Sequence, residues 1–333
     1  KIVDISRAFL DTNGASQRKD VYIAKPDEEG FFVRPEIKDI RAMWLEAMGE
    51  LNNASQQGLA ERFDSTVGAG TVLMPFGGRY QKTPADGMAA KFPVRWGQTD
   101  SASFMAHGFD PDLAEWSPFH GAVYAVLLSV TRLVAMGADW RRSYLTLQEY
   151  FEKLTDRTSW GKPAAALLGA FHMQAALGLG AIGGKDSMSG TFNDLHVPPT
   201  LVSFAVAPGK ASEAVSQELK QEGNTLMLFG MPKDETGMPD LDVFKLHADF
   251  LYQEVKKGNI ASMKAVGHGG VAVTAAEMAF GNKLGVDFTT GTLPLPKYFG
   301  NFYGAIIVET APELAEEYAK QPHTRILGTI GGE

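Results

Sequence analysis

Residues 163–206 read PAAALLGAFHMQAALGLGAIGGKDSMSGTFNDLHVPPTLVSFAV, and this stretch decides the fold class. Pro163–Leu179 is apolar with small residues along it, which predicts a closely packed helix. Ala181-Ile182 leads into the turn GGKDSMSG, and Thr200–Val206 is an apolar run of strand length. A buried helix followed by strands across a glycine-paired turn argues for a mixed domain of helices and sheet.

Working upstream, Gly121–Gly137 reads as a long, nearly all-apolar helix, followed by a strand at Tyr144–Gln148. MAAKFPV and SASFMAH read as antiparallel strands, and Thr71–Met74 as another. Ile40, Met43, Trp44, Leu45, Met48 and Leu51 recur at helical spacing and predict one helix over Pro35–Leu59. Residues 1–35 are turn-rich and polar enough to be a linker. Downstream the pattern restarts after a boundary placed near Pro208-Gly209. Ala211–Glu222, Val243–Lys257, Val266–Gly281 and Pro312–Lys320 read as helices; Asn224–Gly230, Tyr303–Glu309 and Arg325–Ile330 read as strands. The expected organisation is a linker with a leading helix over 1–60, one domain over 61–207 and a second over 208–333, in an α+β class.

Composition narrows the function. The 333 residues are 44% hydrophobic and 21% charged, with 36 glycines and 17 prolines, which excludes a disordered or collagen-like chain. A net charge of −8 with no basic run disfavours nucleic acid as a partner. The absence of cysteine excludes a thiolate nucleophile, a disulfide scaffold and any Cys-ligated metal, and it fits a reducing, cytoplasmic compartment. No uninterrupted apolar run reaches the roughly 18 residues of a spanning helix, so no membrane role is expected. The opening Lys1-Ile2-Val3-Asp4 has no leader pattern and suggests a fragment.

The segment with most chemistry is Gly183-Gly184-Lys185-Asp186-Ser187-Met188-Ser189-Gly190. Paired glycines after a strand expose successive N–H groups, a nest that suits anionic oxygens. Lys185 adds a point charge, Ser187 and Ser189 add hydroxyls, and Asp186 can hold a hydrated Mg²⁺. The spacing is not that of a Walker loop, and a solvated Gly/Ser turn is the plain alternative. Gly267-His268-Gly269-Gly270 opens an apolar helix, so His268, Gly269 and Gly270 are candidates for phosphate binding, against a tight turn that lets the helix pack close. Asp86, in the turn TPADGM, is a candidate metal ligand or an Asx cap. His107 and His120 are more simply read as histidines satisfied by backbone or water. No nucleophile-elbow, zincin or dinucleotide motif is present.

At GGKDSMSG the chain resembles phosphoribosylformylglycinamidine synthase, the ATP-dependent amidotransferase of purine biosynthesis. RFDSTVGAGTVLMPFGGRYQKTPADGMAAKFPV, WSPFHGAVYAVLLSVTRLVAMGADWRRSYLTLQEYFEKL, GGKDSMSGTFNDLHVPPTLVSF and GHGGVAVTAAEMAFGNKLGVD carry the likeness over residues 61 to about 287. The resemblance is to the second of the family's two synthase halves. It implies an aminoimidazole-ribonucleotide-synthetase-like unit, with a barrel-forming N-terminal α+β domain and a smaller C-terminal α/β domain. It also implies a ligase: ATP phosphorylates the amide oxygen of formylglycinamide ribonucleotide, and ammonia from glutamine displaces the phosphate. The implied cofactors are ATP and Mg²⁺; the implied partners are the first synthase half, the glutaminase domain and a small-molecule substrate. This half would supply one wall of a composite site through Gly184–Ser187 and be inactive alone, with a homodimer as a possible state of the isolated unit.

By the same resemblance, Gly184 matches a nucleotide-contacting glycine, Ser187 a serine near substrate, and Asp86 an aspartate holding Mg²⁺ at an auxiliary nucleotide site. Lys185 stands where some relatives place a metal-binding asparagine. Leu127, Leu128 and Thr131 stand where relatives carry metal-binding side chains, and Ala265 and Gly267 where they read aspartate and serine. The auxiliary site is therefore expected to be degenerate. The competing readings are a catalytically silent pseudo-subunit and a stand-alone ATP-dependent synthetase of the same superfamily.

Overall fold

A computed structural model describes residues 1–12, 18–26, 31–32, 36–63 and 67–332. Its larger sheet has six strands in the order Thr71–Leu73, Met88–Lys91, Ser101–Gly108, Thr200–Lys210, Tyr144–Tyr150 and Ala181–Lys185. Every neighbouring pair is antiparallel except the last, which is parallel. The helices Pro118–Ala135 and Arg157–Leu177 pack against each other, and the first lies on the central strands. Met88, Met105, Tyr144 and Tyr150 project to the solvent from this sheet.

Pro118–Ala135 has the length and composition of a membrane span, yet most of it is buried inside the protein. Ser117 caps it by accepting from the His120 N–H, and Pro118 sits where a missing N–H costs nothing. The second helix begins six residues before the expected Pro163. The Asp156 carboxylate accepts from Thr158 and Ser159 while the Ser159 hydroxyl reaches back to the Asp156 N–H, a capping box that starts the helix at Arg157. Gly178, left-handed at φ 69°, ends it.

The smaller sheet is antiparallel throughout, in the order Ile260–Ala265, Ile306–Thr310, Thr225–Phe229, Thr324–Gly331 and Gly285–Phe288. The helices Leu241–Lys257, Gly270–Phe280 and Pro312–Tyr318 accompany it. Pro208-Gly209 lies inside the last long strand of the larger sheet, so the chain passes to the smaller sheet after Lys210. The core runs through this passage without a break: Leu127, Leu133 and Met136 share one buried cluster with Met227, Leu228 and Ile306.

Other stretches also differ from the sequence reading. The helix expected over 35–59 is two helices, Ile40–Gly49 and Gln57–Phe63; the Asn53 side chain donates to the Ala47 carbonyl at 2.7 Å and closes the first. Pro35 itself lies outside the described residues. Over 211–222 only the turn Ala211–Glu213 is helical, because tertiary partners take the backbone N–H groups that a helix needs. Val215 donates to Met136, Leu219 to Met278, and Lys220 and Gln221 to the Glu309 carboxylate. Over 266–281 the helix starts only at Gly270, and the preceding Ile260–Ala265 is a strand that the sequence reading missed.

Candidate functional site

The GGKDSMSG segment is not a glycine nest. Its first part extends the edge strand Ala181–Lys185, and neither Gly183 nor Gly184 adopts a positive φ. Glycine at 184 serves close strand approach: a Cβ there would lie 2.4 Å from the Leu147 carbonyl oxygen. Beyond Lys185 the backbone stays tied to the neighbouring strand. Ser187 N–H donates to the Glu149 carbonyl at 3.0 Å, and Phe151 N–H donates to Ser187 at 2.8 Å. Met188 packs against the cluster of Ala122, Phe151, Ala166 and Leu201 and pins the loop from beneath. Lys185, Asp186 and Ser189 are exposed and Ser187 half-buried, and the Lys185 ammonium rests 4.3 Å from the centre of the Tyr150 ring. The result is a rigidly backed loop that presents a cation, a carboxylate and two hydroxyls outward.

Directly behind it sits Glu149, a residue that the sequence reading did not single out. Period two in YLTLQEY places it on the same side as Leu145 and Leu147, a carboxylate on an apolar face, and that was the available signal. It is buried, and its Oε1 has no hydrogen-bond partner among the described residues. Burial pushes its carboxyl up to about 7, and the Asp186 charge adds to the shift. Between the ordinary value of 4.5 and about 7 the folded chain holds a proton that the unfolded chain has lost. Stability therefore falls as pH rises through that window. Glu149→Gln is expected to remove a cost on the order of 2–3 kcal/mol above that window and to change little below it. Thermal melts at about pH 8 and about pH 4.5 check this; an equal gain at both pH values would refute it.

Asp86, His107 and His268 meet elsewhere, in a polar pocket of about 280 Å³ lined from both sheets' parts of the chain. Asp86, His107, Arg132, Lys264, Gly267 and His268 line it; no residue of the 183–190 loop does. His268 pairs with Glu50. Atoms crowded around the His107 ring and the charge of Arg132, which donates to the His107 carbonyl at 2.8 Å, both lower its pKa, to about 4, although the residue keeps an exposed edge. Gly269 and Gly270, at φ 78° and 72°, form a tight left-handed turn. A Cβ on Gly270 would strike the carbonyls of Gly300 and Tyr298, so these glycines serve close packing, and the backbone around Tyr298–Gly300 crowds that point.

The Mg²⁺ implied at Asp86 does not fit the residues present. Asp86 Oδ1 accepts from the buried Lys264 ammonium at 3.1 Å and Oδ2 from the Ala265 N–H at 2.7 Å. Leu128, an aliphatic side chain with no ligand atom to offer, lines the same pocket. Among the described residues no group of three or more carboxylates or histidines is placed to hold a metal ion. His120 is satisfied by Ser117 and the Thr236 carbonyl, as a structural histidine should be. It borders a larger open cleft of about 970 Å³ that also carries Lys233, Asp234, Lys297 and Arg325. No motif in the sequence marks that cleft, because its residues come from five separate segments.

No family model matches the chain. The PurL subunit of phosphoribosylformylglycinamidine synthase from Thermoplasma acidophilum is 24% identical over 367 aligned positions, covering 100% of this chain and 46% of the relative. Thermotoga maritima PurL complexed with FGAR superimposes at a TM-score of 0.66 with 13% identity, over 90% of this chain and 50% of that one. The same protein complexed with AMPPCP gives 0.61 and 16%, over 94% and 45%. A chain of the HypE–HypF complex gives 0.56 and 14%, over 84% of this chain and 93% of its own length. The fold is thus the aminoimidazole-ribonucleotide-synthetase-like one, in the α+β class. Within that class the chain resembles PurL along its whole length, and it spans about half the length of the PurL relatives it matches.

Proposed function

We propose that the chain is the second synthase half of a phosphoribosylformylglycinamidine synthase, working in the cytoplasm with a first half and a glutaminase domain. The observation that carries this reading is the outward face of the 183–190 loop: the Lys185, Asp186, Ser187 and Ser189 side chains make no hydrogen bonds with the described residues around them. The loop also stands beside apolar surface. Ile182, Phe192 and Leu195, close to the loop in sequence, and Phe171 on the preceding helix are each about two-thirds exposed or more. Apolar side chains left so uncovered suit a second synthase unit, whether the first half or another copy.

In this arrangement the loop faces the amide that ATP phosphorylates, and the chain's own work is positioning and charge. The Lys185 ammonium neutralises phosphoryl or ribonucleotide phosphate oxygens, and the Ser187 and Ser189 hydroxyls donate to them. Asp186 is the residue of this loop that can join a hydrated Mg²⁺ arriving with the nucleotide; such an ion supplies charge neutralisation to the transferring phosphoryl group. The Tyr150 ring lies against the Lys185 ammonium, and burial raises the Glu149 carboxyl to about 7 behind Asp186, which lessens the negative charge behind the loop. PurL of Thermotoga maritima is solved with FGAR and with AMPPCP, which supports a ribonucleotide and a nucleotide as ligands of this fold.

Lys185→Ala and Ser187→Ala in the complete enzyme test the reading. Each is expected to lower kcat by about 100-fold, the cost of losing one preorganised charge or donor at a phosphoryl centre, with unaltered melting of the protein. Activity at the unmodified level in both would favour a silent scaffold instead.

A further inference from the structure

The metal-ligand aspartate implied by resemblance and the buried lysine beside it point to a different use of the interdomain pocket. Lys264 lies on the strand Ile260–Ala265 of the smaller domain, with its side chain 6% exposed. Its ammonium has three N–H donors, and three acceptors surround it: Asp86 Oδ1 at 3.1 Å, the Pro84 carbonyl at 2.9 Å and Glu277 Oε2 at 3.4 Å. Pro84 and Asp86 belong to the larger domain, Lys264 and Glu277 to the smaller. Thr83 adds to the same seam, donating to the Glu277 carbonyl and accepting from the Gly281 N–H.

We infer that the Lys264 ammonium is the resident cation of this pocket, bridging Asp86 and Glu277 where a divalent ion would otherwise sit, so that the seam between the domains closes without metal. A hard cation needs several oxygens converging at about 2.0–2.6 Å on one point. Here a nitrogen occupies that point, and the second Asp86 oxygen is already used by Ala265. Burial works against the charge on Lys264, and Arg132 opposes it as well, but the two carboxylates outweigh both and hold the ammonium above the ordinary lysine range. A cation tethered through its own side chain cannot dissociate, so chelators and metal supply cannot move this seam. The inference stands apart from the proposed role of the 183–190 loop, which lines none of this pocket.

Mn²⁺ added to the 333-residue chain is the direct probe. In the unaltered protein the amide resonances of Asp86, Ala265 and Gly267 are expected to keep their intensity, and the melting temperature to be the same in EDTA and in excess Mg²⁺. Lys264→Ser should convert the pocket: one Mn²⁺ binds per chain, the same resonances broaden, and melting rises with Mn²⁺. Selective broadening of those amides in the unaltered chain would overturn the inference without recourse to any variant. A folded Lys264→Ser chain that takes up no Mn²⁺ would overturn it too.

Discussion

Glu309→Ala is expected to cost at least about 4 kcal/mol, a large share of an ordinary protein's stability. Glu309 is fully buried on Ile306–Thr310, an interior strand of the smaller sheet. Its carboxylate accepts four hydrogen bonds. Oε2 takes Lys220 N–H and the Ser262 hydroxyl, each at 2.8 Å; Oε1 takes Gln221 N–H at 3.0 Å and the Asn224 amide at 2.8 Å. Two of those donors are backbone groups of the non-helical segment that leads into the sheet, so this one side chain replaces the intrahelical bonds the segment lacks. Truncation orphans all four donors at about 1–3 kcal/mol each, partly relieved by water entering the void. Glu309→Gln keeps the volume but turns an NH₂ toward groups that already donate, and should cost about half as much. Urea unfolding of the three proteins checks this; an alanine variant within about 1 kcal/mol of the parent would refute it.

That carboxylate also explains why part of the chain was illegible. The helix at Pro118–Ala135 and the strand at Thr225–Phe229 are apolar at nearly every position and announce themselves. Ala211–Glu222 has helical spacing, but the donors of Lys220 and Gln221 are claimed by a residue nearly ninety positions away, which no local pattern encodes. Ile260–Ala265 was missed for the converse reason. Ser262 and Lys264 interrupt its apolar run, yet both are buried because Glu309 and Asp86 satisfy them. The site shows the same division. Exposed polar residues set between glycines marked the 183–190 loop, whereas the lysine opposite Asp86 could be found only once the two domains were laid together. Asp86 was expected as a Mg²⁺ ligand or an Asx cap, and the structure pairs its carboxylate with the Lys264 ammonium and the Ala265 N–H instead.

Gly108→Ala is expected to destabilise the larger domain by about 3 kcal/mol or more, although it adds a single methyl group. Gly108 ends the strand Ser101–Gly108 beneath the middle of the helix Pro118–Ala135. A Cβ there would lie 2.1 Å from the Ala125 carbonyl oxygen and 2.7 Å from the Ser129 nitrogen. Those two atoms are the acceptor and donor of one i→i+4 turn, so the obstacle is helix backbone rather than a side chain free to turn aside. The Ser129 hydroxyl meets the Ser203 hydroxyl at 3.0 Å, and Ser203 pairs with Gly108 across the sheet, so the helix is fastened at the very point where it would have to lift. The same helix carries Arg132, which donates to the carbonyl of His107 in the interdomain pocket. Lifting it would loosen that pocket as well as the core. Gly183→Ala is the control: a Cβ there meets nothing within 4 Å, and its melting temperature should stay at the parental value. If the two alanine variants melted alike, close approach of helix and sheet would not be what glycine provides at position 108.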